Sequence, residues 1–135
     1  MKWILYAALA IVGACSLLWV GTRAGDAGGD ESPTTFVFVR IPESIWPVER
    51  GEKYEDPLDA ALVRAGVGGV TGGGSQLGDP GPDGAPVIAW VGIDVELDDL
   101  ERGLPLLKSE LARLGAPPGT ALDYTRNGRN VTDTL

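Results

Sequence analysis

The stretch Val87 to Leu97, VIAWVGIDVEL, decides how the chain folds. In an extended backbone Val87, Ala89, Val91, Ile93, Val95 and Leu97 fall on one side. Trp90, Gly92, Asp94 and Glu96 fall on the other. That alternation spells a strand with one buried face, because successive side chains leave an extended chain in opposite directions. Such a strand needs a neighbour. Gly78 to Pro86, GDPGPDGAP, is almost pure turn chemistry. The segment before it, Val67 to Leu77, is therefore the partner strand of a hairpin.

Working outward, Thr35 to Ile41, TFVFVRI, is β-branched and aromatic and stops at Pro42, which predicts a first strand. Asp56-Pro57 supplies an N-cap and a proline at the first helical position. Leu58, Ala61, Leu62 and Ala65 then recur at helical spacing, and Gly66 ends the run. Leu104, Leu107, Leu111 and Leu114 mark a second helix that closes at Gly115. Pro105 would break a helix begun at Asp98, so the regular turns are expected from about Pro105. Thr120 to Tyr124, TALDY, reads as a last strand, with a frayed tail over 127–135. The order β-α-β-β-α-β predicts an α+β domain over 34–126: a ferredoxin-like βαββαβ sandwich, with an antiparallel four-stranded sheet and two helices on one face. The expected strand order, 4-1-3-2, leaves the second strand at an edge.

The first 24 residues are of another kind. Trp3 to Val20, WILYAALAIVGACSLLWV, carries no charge, close to the roughly 20 apolar residues that cross a bilayer as a helix. Met1 and Lys2 before it, against Arg23, Asp26, Asp30 and Glu31 after it, leave a small positive excess on the N-terminal side, which favours an N-terminus in the cytoplasm and an extracytoplasmic domain. Three fates are open: an uncleaved transmembrane anchor, a cleaved signal peptide, or lipoprotein processing. The last rests on Val12-Gly13-Ala14-Cys15, which has the pattern of a bacterial lipobox with Cys15 as the lipidation candidate. Each exports the domain. Residues 25–33, GDAGGDESP, make a flexible acidic tether.

Composition excludes whole classes of chemistry. The chain of 135 residues has no histidine and a single cysteine. Ser-His-Asp and Cys-His catalysis are therefore out, as are zinc sites built on imidazole or several thiolates. The formal net charge of −8 argues against nucleic-acid binding, which needs cationic side chains facing phosphates. No cofactor is expected. A carboxylate-dependent hydrolase needs one acid in an apolar cleft, and no acid here lies in an apolar run. The composition thus leans against an enzyme.

Three candidate sites remain. Thr71-Gly72-Gly73-Gly74-Ser75-Gln76 looks at first like a phosphate loop. However, it lacks the Walker lysine, fails the G-x-G-x-x-G spacing, and leads into a strand rather than a helix. Gly72, Gly73 and Gly74 are then edge-strand glycines that permit a bulge or a close backbone approach. The polar connection from Pro42 to Glu55, read as a long loop, carries Trp46, Arg50, Lys53 and Tyr54, which could wall and pair a ligand or partner carboxylate; the alternative is that Ile45, Trp46 and Val48 fold back to cap the core and leave the charges solvated. The acidic run Asp94, Glu96, Asp98, Asp99 and Glu101 lacks calcium-loop spacing and reads as a solvated strand face followed by a helix cap, with no metal. The leading expectation is a membrane-tethered, exported, non-enzymatic interaction domain. It would bind a protein partner or form a homodimer through the edge strand and the 42–56 loop. A small-ligand sensor for an amino-acid-like or acidic metabolite is the second reading, and a carboxylate-dependent hydrolase the third.

Overall fold

The computed structural model of the chain describes residues 33–135. The apolar segment Trp3 to Val20, Cys15 and the tether up to residue 32 lie outside the described residues. No helix among the described residues is long and apolar enough to cross a membrane. The domain is α+β: one five-stranded antiparallel sheet and two helical runs.

The strands are β1 (Thr35–Ile41), β2 (Gly68–Leu77), β3 (Ile88–Leu97), β4 (Ala121–Arg126) and β5 (Arg129–Thr134). They lie in the order β2-β3-β1-β4-β5, which puts β2 at one edge and β5 at the other. β1 and β2 both run antiparallel to β3. Their C-terminal ends therefore emerge at the same end of the sheet. The first helical run has three consecutive pieces: α1 (Pro47–Arg50), a π-helical segment (Gly51–Glu55) and α2 (Asp56–Ala65). The second is α3 (Leu100–Arg113).

One face of the sheet carries Val37, Val39, Ile41, Val91, Ile93, Val95, Leu97, Leu122 and Tyr124. Leu58 and Leu62 of α2 and Leu104, Leu107 and Leu111 of α3 complete the core against it. A β-carbon on Gly103 would come within 2.9 Å of the Leu97 side chain, so that glycine lets α3 settle closely on β3.

Four expectations give way. The first concerns the alternation in Val87 to Leu97, which holds only from Trp90 onward. Gln76 pairs with Trp90 and Leu77 with Ile88, so the ladder skips Ala89. This bulge reverses the parity: Ile88 is buried while Val87 and Ala89 are exposed. Second, the connection after β1 is short, because a helix begins at Pro47 rather than at Asp56. Proline at the first helical position fits there, and the Trp46 amide donates to Glu49 Oε2 at 3.1 Å.

Third, α3 starts at Leu100 with Pro105 inside it. The amide that proline lacks would have bonded the carbonyl of Glu101, an exposed first-turn residue whose carbonyl water can satisfy. Fourth, the tail is a fifth strand, not frayed, and the sheet has five strands rather than four. Asn127 and Gly128 both have positive φ, at 52° and 72°, as a tight hairpin turn of the primed type demands.

Candidate functional site

The glycine-rich strand and the π-helical segment meet. Arg50, at the end of α1, is buried beneath the helix. Its Nε donates to Glu55 Oε1, and its second arm donates to Ser75 Oγ on β2 at 2.9 Å. In an α-helix, residues five apart stand about 140° from each other around the axis. The wider turn between Arg50 and Glu55 brings them to one side. Both then lie over β2. A β-carbon on Gly73 would come within 3.0 Å of Arg50 Nε and 3.1 Å of the Gly92 carbonyl, and would collide with the Glu55 carboxylate. Gly73 is the seat of the ion pair.

A second hub sits nearby. Glu43, just after β1, accepts from Lys53 Nζ at 2.5 Å and from the Tyr54 hydroxyl at 2.5 Å. Tyr54 is fully buried in the core, and burial together with its bond to Glu43 pushes its hydroxyl up to about 12. Burial alone would raise the Glu43 carboxyl, but the hydrogen bonds from Lys53 and Tyr54 outweigh it and hold it below its ordinary value. The bond that Lys53 donates to Glu43 raises the lysine above its own ordinary value, against some desolvation. Both cations expected to meet a ligand carboxylate, Arg50 and Lys53, are thus engaged within the protein by Glu55 and Glu43.

The remaining candidates stand apart from these hubs. The Trp46 side chain is exposed, as is Val48, while Ile45 packs against the core. Gly72 lies opposite Asp94, and a β-carbon there would sit 3.4 Å from Asp94 Oδ2. Gly74 has open space around its β-carbon position. Asp99 caps α3, accepting from the Arg102 amide at 3.0 Å, while Asp94 and Glu96 project from the sheet face opposite the helices. No group of three or more metal-ligating side chains comes together among the described residues.

β2 itself is the outstanding feature. Its ten residues, GGVTGGGSQL, include no charge and no proline, and its outer side pairs with no strand among the described residues. Natural edge strands are usually blunted by charge, proline or brevity. Here the ladder irregularity at Thr71, between Val70 and Gly72, is the principal interruption. Beside it the Val70 amide donates to Asp59 Oδ1 of α2 at 2.9 Å. Beyond that point Gly73 to Leu77 are exposed. The opposite edge is different in kind: β5 carries Arg129 and Asp133, and Asp133 pairs with Lys108 of α3 at 3.0 Å.

The glutamates that hold the helical run together, Glu43 and Glu55, escape sequence reasoning. Each lies at a spacing no regular helix would bring into contact. No family model matches the chain, and neither a curated protein nor a solved structure shows a significant similarity to it.

Proposed function

We propose that the chain is a non-enzymatic interaction domain that accepts a strand from a protein partner, or from a second copy, along the free edge of β2. The observation that carries this is the ten-residue edge without charge or proline, whose Gly73 to Leu77 half is exposed. Strand addition draws its affinity from backbone hydrogen bonds and requires no reactive side chain. That suits a chain without histidine. The ion pair over Gly73 supports the helical side of β2 and leaves its outer edge open.

The 42–56 segment contributes differently from a binding loop. Its exposed Trp46 and Val48 follow β1 at the end of the sheet where exposed Leu77 closes β2. The ligand-sensor reading has less support, because its two cations are already paired with Glu43 and Glu55. The strand order β2-β3-β1-β4 supports a ferredoxin-like core, to which β5 is added. The apolar segment Trp3 to Val20 is read as what holds this domain at a membrane, on the extracytoplasmic side.

The test is a double substitution, Gly74→Lys with Gln76→Lys, in the full chain. Both positions are exposed and the Gly74 site has room for a side chain, so the fold is expected to persist by circular dichroism. Chemical cross-linking in intact cells should yield an adduct of the native chain that the double variant loses. An unchanged adduct from a folded double variant would remove β2 from the interaction.

A further inference from the structure

The sheet face away from the helices is a second surface with a definite chemical character. β1 sets Phe36, Phe38 and Arg40 on it in turn. Phe36 is 52% exposed. Phe38 lies across Gly92, where a β-carbon would meet its ring at 2.6 Å, and it contacts Trp90 edge-on with ring centres 6.0 Å apart. A groove of about 650 Å³ runs beside these rings, lined by Phe36, Phe38, Asp123, Thr125 and Thr132 among others.

The register places a carboxylate beside each phenylalanine. Phe36 is directly opposite Glu96 on β3, and Phe38 is opposite Asp94 on one side and Asp123 on the other. Among the described residues none of these three carboxylates joins an ion pair. Among the described residues Asp123 accepts only the Thr132 hydroxyl, at 2.5 Å, which holds one of its oxygens in the groove. Arg40 stands further along β1, opposite Gly92. Aromatic faces flanked by unpaired carboxylates attract cations twice over, through the ring quadrupole and through charge.

We infer that this face binds an extended polypeptide segment carrying Lys or Arg at alternate positions. Alternate side chains of an extended segment repeat every ~6.8 Å, the same interval that separates Phe36 from Phe38. Charge decides between the occupants. A second copy would set Asp94, Glu96 and Asp123 against their own kind, and the whole chain carries a formal charge of −8. An anionic membrane surface would be repelled in the same way. A cationic segment relieves both. The groove lies beside β1 and β4, at least two strands in from the β2 edge, so either surface can fail without the other.

The probe is a fluorescein-labelled (Arg-Ala)4 peptide, titrated by anisotropy with the full chain in an uncharged detergent. The matching (Gln-Ala)4 peptide is expected to bind at least tenfold more weakly. Asp94→Asn with Asp123→Asn should weaken the Arg peptide about tenfold, and Phe36→Ser several-fold. Glu52→Gln with Asp79→Asn removes as much charge from exposed positions elsewhere and should leave binding unchanged. The inference is overturned if that control weakens binding equally, if Phe36→Ser has no effect, or if no saturable binding occurs up to about millimolar peptide.

Discussion

Arg50 and Glu55 pair directly across a turn of helix wide enough to bring residues five apart onto one side, with Gly73 of β2 beneath them. Three facts of sequence thus depend on one another: the glycine, the widened turn and the buried charge. The arginine is the member with more to lose. Its side chain keeps 11% of its exposure, against 23% for the glutamate.

The pair should respond unequally to losing either partner. Glu55→Ala leaves Arg50 buried with Ser75 Oγ as its one remaining side-chain partner among the described residues, and is expected to cost about 2–4 kcal/mol. Arg50→Met removes the buried charge, keeps most of the volume, and is expected to cost under about 1 kcal/mol. Urea denaturation of both variants checks this. Equal losses would show that the pair does not bear on stability as described.

Neighbouring glycines should behave as opposites. Gly73→Ala drives a methyl into the pair and towards the Gly92 carbonyl, with an expected cost of about 1–3 kcal/mol. Gly74→Ala meets nothing within 4 Å and should be neutral or stabilising by up to about 1 kcal/mol, since alanine loses less freedom on folding. Thermal melts of the two variants decide it.

Alkaline pH should find Tyr54. Its hydroxyl is raised from 10.0 to about 12 in the folded protein. The stability this contributes is complete below pH 10 and is lost as pH climbs towards 12, because only the unfolded chain ionises in that window. The loss amounts to about 2–3 kcal/mol. Lys53, also raised, adds to the decline above its ordinary value. Melting temperatures between about pH 9 and 12 should therefore fall more steeply for the native chain than for Tyr54→Phe. Parallel curves would contradict the assignment.

The β4–β5 hairpin depends on its turn. Gly128 holds φ at 72°, a conformation that costs a side-chain-bearing residue about 1–2 kcal/mol. Gly128→Val should loosen β5, seen as faster amide exchange from Arg129 to Thr134, while the core strand β3 keeps its protection.

Much of the sheet was legible because its signals are local. The alternation from Val91 to Leu97, the turn cluster after Leu77 and the proline after Ile41 each name a strand or its end. The slip at Ala89 was hidden, since a bulge depends on what the partner strand offers and leaves no mark on one strand alone. Asn127-Gly128 did carry its signal: a two-residue turn that favours hairpins. It was obscured by the polar residues around it, because β5 is an edge strand and buries little. Pro47 and Glu49 also marked a helix start, but Gly51 and the run of charges after it resembled a loop. The site was the least legible part. Reading Arg50 and Lys53 as free cations required Glu43 and Glu55 to be elsewhere, and only the widened turn and the return from β1 place them in contact.

The central claim is that a partner strand lies along β2, and a photo-cross-linking side chain tests it most directly. Placed at Gln76 in the full chain and activated in intact cells, it should yield a discrete adduct whose mass identifies a second copy or another protein. The same group at exposed Ala60 of α2, or at exposed Ala112 of α3, should yield none. An adduct common to all three positions, or none at Gln76, would contradict the account.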